Sequence, residues 1–186
     1  MLRGELVALR PVRRDELATL YAWRQDLNLA AWTDTEPWVA LSYEEWSKRR
    51  DEGTSPKAAF FGVQEGAAED GRLVGTCELW GIDEYNRNAH IGIKLGAESD
   101  RGKGFGRDAL ALLVRYGFWY RGLHRLQLET FAHNTAMRRC AEQVGFTEEG
   151  RLRESGWAAG RFGDDVIYGL LAADWRTRLG DGEGAL

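Results

Sequence analysis

The chain has 186 residues, of which 44% are hydrophobic and 29% charged, a balance that can bury the core of one ordinary domain. Its formal net charge of −4 argues against a general nucleic-acid-binding protein, which would carry a basic surplus. No apolar run approaches the ~18–20 residues of a membrane-spanning helix, so we expect no membrane segment.

The two cysteines, Cys77 and Cys140, are too few for a disulfide framework, and no Cys/His group has zinc-site spacing. We therefore expect a reduced, cytoplasmic protein without a metal site. The N-terminal sequence MLRGELVALR lacks an uninterrupted apolar segment and a cleavage site. It predicts a first strand rather than a signal peptide.

The first half of the chain is predicted to begin with a strand and two helices. Val7–Leu9 form a short strand that ends before Pro11, and apolar spacing predicts an amphipathic helix over about 14–27. Ser42–Glu45 has the pattern of a capping box and opens a second helix that ends near Gly53. Three strand-like runs follow, over 58–64, 73–80 and 89–95.

The second half alternates helices and strands. A helix is predicted over 105–121 with Gly122 as its C-cap, followed by a strand around Leu126 and Leu128. Asn134 is the predicted N-cap of a further helix that ends at Gly145. Two final strands are expected near 149–158 and 165–171. The order β-α-α-β-β-β-α-β-α-β-β predicts one α/β (α+β) domain with a mixed sheet.

The most informative segment is ESDRGKGFGRDAL, residues 98–110, which joins a predicted strand to a predicted helix. Glycines at 102, 104 and 106 let the backbone bend sharply and leave room for a ligand. The unpaired amides and the dipole of a helix N-terminus favour an anion there. Arg101 and Lys103 are expected to add mobile positive charge. Together these features predict a cradle for a phosphate or pyrophosphate.

Two common phosphate-binding motifs do not fit this turn. A P-loop requires G-x-x-x-x-G-K-[S/T], which is absent. A dinucleotide fingerprint requires G-x-G-x-x-G, but the position after Gly102 and Gly104 that needs glycine is Arg107. The alternatives that stay open are a third motif, R/Q-x-x-G-x-G/A, and a glycine-rich turn without a ligand.

Arg101, Gly104 and Gly106 match that third motif, which resembles the pyrophosphate-binding motif of the GNAT superfamily of acyl-CoA N-acetyltransferases. The spacing from Asn134 to Gly145-Phe146 resembles another signature of these enzymes. The RimJ/RimL-like branch is indicated by residues that resemble its pattern, namely Ala89–Gly92, Gly150, Arg151, Asp165 and Tyr168. The resemblance implies one acetyltransferase domain over 4–176, with about seven strands and helices on both faces. We expect a disordered tail over 177–186.

The resemblance also implies a binding site for acetyl-CoA. The backbone around Ile93–Leu95 would pair with the pantetheine arm, and the turn amides would hold the pyrophosphate. Asn134 would approach the pantetheine or the thioester. The implied cofactor-binding residues are Ile93, Lys94, Leu95, Arg101, Gly102, Lys103, Gly104, Phe105, Gly106 and Asn134.

The implied chemistry is direct attack of an amine on the bound thioester, which needs a group that removes a proton. Similar chains usually carry Glu where this chain has His90, and histidine titrates near neutrality, so His90 is one candidate. Glu78 on the neighbouring strand is the second candidate. The Tyr and Ser positions that supply a general acid in relatives are Ala141 and Met137 here, and Cys140 has the spacing of a core residue. The sequence therefore names no acid.

The acceptor site is expected between the first two helices, where this family usually binds its acceptor. Aromatic rings and carboxylates suit an ammonium group, and the segment offers Trp32, Asp34, Glu36 and Trp38. Packing of both Trp residues against the sheet is the alternative. The expected acceptor is a small amine, an antibiotic or a protein N-terminus, and homodimer formation is left open. An acyl-CoA-binding sensor or partner module with little turnover is the competing function.

Overall fold

The computed structural model describes residues 1–29, 38–52, 55–68, 70–158 and 160–179. One mixed sheet of eight strands forms its centre. The strands are β1 (Leu2–Arg3), β2 (Val7–Arg10), β3 (Ala59–Glu65), β4 (Leu73–Asp83), β5 (Asn88–Leu95), β6 (Arg125–Phe131), β7 (Thr147–Ala158) and β8 (Arg161–Leu171). The α-helices, numbered in chain order, are α1 (Leu17–Gln25), α2 (Tyr43–Glu52), α3 (Phe105–Arg115), α4 (Thr135–Val144) and α5 (Ala172–Leu179).

The strand order is β1-β2-β3-β4-β5-β6-β8-β7, and only β5 and β6 pair in parallel. Helix α3 lies in the connection between these two strands, as a parallel crossover requires. The parallel pairing covers only Asn88–His90 against Arg125–Gln127. Beyond His90, β5 stays paired with β4 through Leu95. The two halves of the sheet are therefore joined by three residue pairs at one end of the β5–β6 boundary.

Two hydrophobic clusters pack on opposite faces of the sheet. The larger one joins the strands to α3 and α4 and includes Val63, Ile91 and Leu113. The smaller one holds α1 and α2 through Leu20, Trp46 and Leu73. Two adjacent residues of β3 face different clusters. A Cβ at Gly62 would lie 2.9 Å from Leu73 of the smaller cluster, whereas Val63 belongs to the larger one. Successive side chains of a strand point to opposite faces, so helices cover both faces, as predicted.

The predicted helices and strands are present, with differences at their ends. The first helix begins with a 3-10 turn, Arg14–Glu16, and its α-helical part ends at Gln25. The helix predicted over 105–121 is α-helical to Arg115 and continues as a π-turn over Tyr116–Tyr120. The sequence predicted about seven strands, and the additional strand in the structure is the two-residue β1. No described helix combines the length and apolarity that crossing a membrane would require.

The C-terminal region corrects one prediction. Residues 177–179 were expected to be disordered, but they complete helix α5, which the sequence analysis did not predict. This helix packs on β8, and its Trp175 contacts Phe118 with ring centroids 5.5 Å apart. The end of the sheet thereby supplies an apolar surface that holds the segment in a helix. Residues 180–186 lie outside the described part of the chain.

Candidate active site

A crevice opens where β5 and β6 stop pairing. It has a volume of about 540 Å³ and lies between β4 and β5 on one side and β6 with the start of α4 on the other. The residues that line it are Thr76, Cys77, Glu78, Trp80, His90, Ile91, Gly92, Ile93, Lys94, Leu128, Glu129, Thr130, Asn134 and Met137. Both candidate bases and three predicted cofactor-binding residues, Ile93, Lys94 and Asn134, are therefore brought together.

The backbone of β5 presents hydrogen-bonding groups to this crevice. The amide of Gly96 donates to the carbonyl oxygen of Val74 in β4 at 3.0 Å. Because backbone groups of successive strand residues alternate between the two edges, those of Ile93 and Leu95 are directed away from β4. An extended ligand arm can pair with such an edge like an added strand. This matches the expected position of the pantetheine arm.

The glycine-rich turn lies beyond the end of β5. A 3-10 turn, Glu98–Asp100, leads into it, and Gly102 and Gly104 have φ values of 76° and 87°. These left-handed conformations favour glycine. Gly104 is the N-cap of α3 and supplies no side-chain cap, and the first helical bond is from the Asp108 amide to the Gly104 oxygen at 3.1 Å. The amides ahead of Asp108 thus form the open N-terminus of a helix, which fits an anionic group.

Asp100, which the sequence analysis did not single out, holds this turn in place. Its buried carboxylate accepts two hydrogen bonds from Arg72, at 2.8 and 2.9 Å, and one from Lys103 at 3.2 Å. The Arg72 and Lys103 partners hold the pKa of Asp100 below its usual value. Lys103, which the sequence analysis expected to be a mobile charge, is exposed and pairs with Asp100. Arg101 is exposed.

A second carboxylate at the start of α3 is also occupied within the protein. Asp108 accepts hydrogen bonds from the amides of Leu6 and Val7 at 2.7 and 2.9 Å. The helix start is thereby tied to β2 and the segment before it. Asp100 and Asp108 are both engaged by donors of the protein, which reduces their repulsion of an incoming anion.

Asn134 begins α4 at the opposite wall of the crevice. Its Oδ1 accepts a hydrogen bond from the Met137 amide at 3.2 Å, so it is the N-cap that the sequence predicted. The side-chain oxygen satisfies one of the helix's unpaired amides. Asn134 is also one of the residues that line the crevice.

The face of the sheet opposite the larger cluster carries the candidate acid–base groups. Trp80 pairs with His90 and Glu78 with Gly92, so the four residues share a face. Leu126 and Leu128 point into the core, which places Glu129 of β6 on that open face. The Oε1 atom of Glu129 lies 3.6 Å from the Nδ1 atom of His90. The imidazole also stacks on the Trp80 ring, with centroids 5.5 Å apart.

The carboxylate of Glu78 is partly desolvated, which favours its protonated form. Its side chain is reached by solvent within the crevice, but the concave surroundings desolvate the carboxylate. Desolvation raises the pKa of Glu78, and the positive charge of Arg50 partly opposes this increase. The structure keeps both His90 and Glu78 as candidates, on one face of neighbouring strands.

The positions where relatives place a general acid stay apolar. Ala141 is fully buried, and Met137 lines the crevice without a titratable group. Cys140 packs against the larger cluster, and burial raises the pKa of its thiol to about 11. This agrees with the interpretation of Cys140 as a core residue.

The predicted acceptor segment is mostly outside the described residues. This applies to Trp32, Asp34 and Glu36. Trp38 is described and 40% exposed, but it is not among the described residues that line the crevice. The sequence analysis missed Trp80 and Glu129, although period-two alternation places Trp80 beside Glu78 and places Glu129 opposite the buried leucines.

Comparison with known proteins agrees with this geometry. The acetyltransferase (GNAT) domain family matches residues 7–147. Spermidine N(1)-acetyltransferase of Vibrio cholerae is 28% identical over 172 residues, which cover 92% of this chain and 96% of that protein. The crystal structure of the Vibrio cholerae spermidine N-acetyltransferase in complex with CoA and spermine superimposes with a TM-score of 0.81. It has 25% sequence identity and covers 91% of this chain and 97% of the other.

The Bacillus subtilis protein YdaF is 34% identical over 114 residues, which cover 61% of this chain and 62% of YdaF. The matched region thus spans less than two thirds of this relative. The family match covers most of the chain, and the fold agrees with it. The chain belongs to the acetyltransferase (GNAT) domain family.

Proposed function

We propose that the protein transfers an acetyl group from acetyl-CoA to a primary amine by direct attack in a ternary complex. The crevice between β5 and β6 and the turn beyond β5 carry this proposal. The crevice offers an open backbone edge and two candidate proton acceptors, and the turn offers an open helix N-terminus. In this arrangement, amides of the turn around Gly104 and Gly106 hold the pyrophosphate. The backbone of Ile93 and Leu95 holds the pantetheine arm, and Asn134 donates to it from the other wall.

Acetyl-CoA, when bound, supplies the activated thioester. The chain's own residues orient the amine and remove its proton. His90 is the first candidate for the base because its imidazole lies on the open face of the crevice. Glu78 is the second, because its desolvated carboxylate has a raised pKa. A backbone amide of β5 polarises the thioester carbonyl.

We infer that the acceptor is cationic. Glu78 and Glu129 line the crevice from β4 and β6, and the exposed Trp80 lies on the same face. Carboxylates and an aromatic ring attract an ammonium group. Spermidine, a small amine, is the acceptor named for the Vibrio cholerae relative. We propose the same chemical class here, with peptide N-termini as the alternative acceptor.

Two measurements test the proposal. Acetyl-CoA should raise the melting temperature more than NAD or ATP at equal concentration, because a ligand of the native state stabilises it by mass action. A larger shift with NAD would contradict the cofactor assignment. CoA release should then be measured with a panel of polyamines, aminoglycosides and ribosomal-protein N-terminal peptides. Release with at least one amine supports the transferase.

An acyl-CoA-binding module with little turnover is the second candidate. It is favoured by one observation, the apolar Ala141 and Met137 at the positions where relatives place an acid. Stabilisation by acetyl-CoA without CoA release from any amine would support this alternative.

A further inference from the structure

His90 contacts two side chains that the family resemblance does not assign to the reaction. Trp80 stacks on its ring with an interplanar angle of 23°, and the Glu129 carboxylate lies 3.6 Å from Nδ1. His90 and Glu129 are 38% and 43% exposed, so the pair is open to the crevice rather than buried. We propose that Glu129 and Trp80 are positioning residues that orient His90 so that its Nε2 atom takes the proton of the amine. This inference rests on the proposed function.

The position of Trp80 is built into the strand pairing. Trp80 lies directly across from His90, and a Cβ at Gly92 would come within 2.9 Å of the indole ring. Glycine at position 92 therefore leaves the space over β5 that the indole occupies. The indole covers one face of the imidazole and limits its rotation out of the sheet plane.

Glu129 is itself held by a neighbour on its own strand. Gln127 Nε2 donates to Glu129 Oε1 at 2.7 Å, and Gln127 Oε1 accepts a hydrogen bond from Arg125 at 3.4 Å. Arg125 in turn makes a bidentate salt bridge with Glu149 of β7. This row of polar side chains along β6 fixes the carboxylate on the side of His90 that carries Nδ1.

The nitrogen of His90 that faces the Glu129 carboxylate is Nδ1, and this determines which nitrogen can accept a proton. A carboxylate is only an acceptor, and its negative charge 3.6 Å from Nδ1 favours the neutral imidazole with the proton on Nδ1 and the lone pair on Nε2. When the substrate ammonium loses its N–H bond, the proton forms a bond to Nε2 and the amine nitrogen keeps the electron pair for attack. The imidazolium that results is stabilised by the negative charge of Glu129.

The charged surroundings of His90 come from three strands. Glu78 of β4 and Lys94 of β5 share its face, Glu129 approaches from β6, and Arg50 of α2 acts on Glu78. The Glu129 carboxylate faces the Nδ1 atom of the imidazole, whereas Trp80 contacts the ring face. A change of Glu129 should therefore alter the protonated nitrogen of His90, and a change of a distant carboxylate should not.

Nitrogen-15 NMR of the histidine side chains gives a direct test, since the chain has three histidines and His124→Gln and His133→Gln assign the signals. At about pH 9, where imidazoles are neutral, the wild type should carry the His90 proton on Nδ1. Glu129→Leu should shift the population toward Nε2–H, whereas Glu129→Gln, which keeps an acceptor, should shift it less. Glu84→Gln, in the exposed turn after β4, is the matched control and should change nothing.

Kinetics then link the orientation to the reaction. Glu129→Leu should lower kcat about tenfold and leave the KM for acetyl-CoA unchanged, because the variant loses proton transfer and not cofactor contacts. A wild-type proton on Nε2, or a tautomer change without loss of kcat, would overturn the proposal. Failure of the wild type to acetylate any amine would count against the proposed function, and the NMR result would still decide whether Glu129 orients His90.

Discussion

The turn before α3 and the crevice between β5 and β6 use their charged groups in opposite ways. At the turn before α3, Asp100 and Asp108 are occupied by donors of the protein, and backbone amides are left open. On the open face, Glu78, His90 and Glu129 keep solvent-accessible titratable groups. We therefore expect the turn to be a fixed end that binds an anion and the crevice to be a reactive end that transfers protons. Variants at the reactive end should change turnover, and variants at the fixed end should change affinity or stability.

The largest effect is expected at the reactive end. If His90 removes the proton, His90→Ala should lower turnover about 100-fold, while acetyl-CoA affinity stays unchanged because the backbone contacts of β5 remain. The wild-type rate should also rise with pH through an inflection that the variant lacks. The measurement is a pH–rate profile of both proteins with an acceptor found in the amine panel. Near wild-type turnover with the same profile would remove His90 from the mechanism and leave Glu78 as the base.

A larger side chain in the glycine-rich turn tests whether the turn binds the pyrophosphate. Gly106→Val should weaken acetyl-CoA binding at least tenfold, or about 1.4 kcal/mol, by placing a side chain at the open helix start. Position 106 suits this test because a Cβ there would meet only Leu95 at 3.9 Å. A substitution at Gly104 would also strain a backbone with φ of 87° and approach Leu6 at 2.9 Å.

Calorimetry measures the Gly106→Val effect, and Gly150→Val in β7 is the control, since no atom lies within 4 Å of a Cβ there. Equal affinity of the folded Gly106 variant and the wild type would show that the phosphates bind elsewhere.

The variant Asp100→Asn tests whether the Asp100 carboxylate stabilises the turn. Removing this carboxylate from Arg72 and Lys103 should lower the free energy of unfolding by about 1–2 kcal/mol. Because the folded-state pKa of Asp100 is lowered, its stabilisation is present above the ordinary value of 3.8 and is lost as the pH falls through the lowered value. Urea unfolding at pH 7 and in strong acid should therefore show a difference that shrinks at low pH. Asp70→Asn, at an exposed position, is the control. A difference that persists unchanged in acid would contradict the charge-based account.

The smallest effect is expected for Glu78→Gln. Desolvation raises the folded-state pKa of Glu78, so its favourable contribution is present below the ordinary value of 4.5 and is lost as the pH rises through the raised value. The variant should therefore melt slightly above the wild type at pH 7 and show no such advantage at pH 4. Thermal unfolding at both values checks this sign. A lower melting temperature at pH 7 would mean that the ionised carboxylate is stabilised in the fold.

Local patterns in the sequence predicted much of this protein. Short-range signals act within a few residues of the backbone, which is why the capping box at Ser42, the N-cap Asn134 and the glycines at 102 and 104 were found. Alternation gave the strands, and their pairing put His90 and Glu78 on one face. The family followed from motifs in a consistent order, and the family match over 7–147 confirms it.

The tertiary structure decided what depends on partners distant in the chain. Asp100 meets Arg72 from 28 positions away, and its buried carboxylate also pairs with Lys103, which was expected to be a mobile charge. Glu129 approaches His90 because β5 and β6, whose paired residues are 37 positions apart in the chain, pair in parallel. Helix α5 forms because β8 and Phe118 offer an apolar surface. Sequence periodicity encodes which face a side chain takes, whereas the neighbour across that face is set by strand order and register, which only the folded chain fixes.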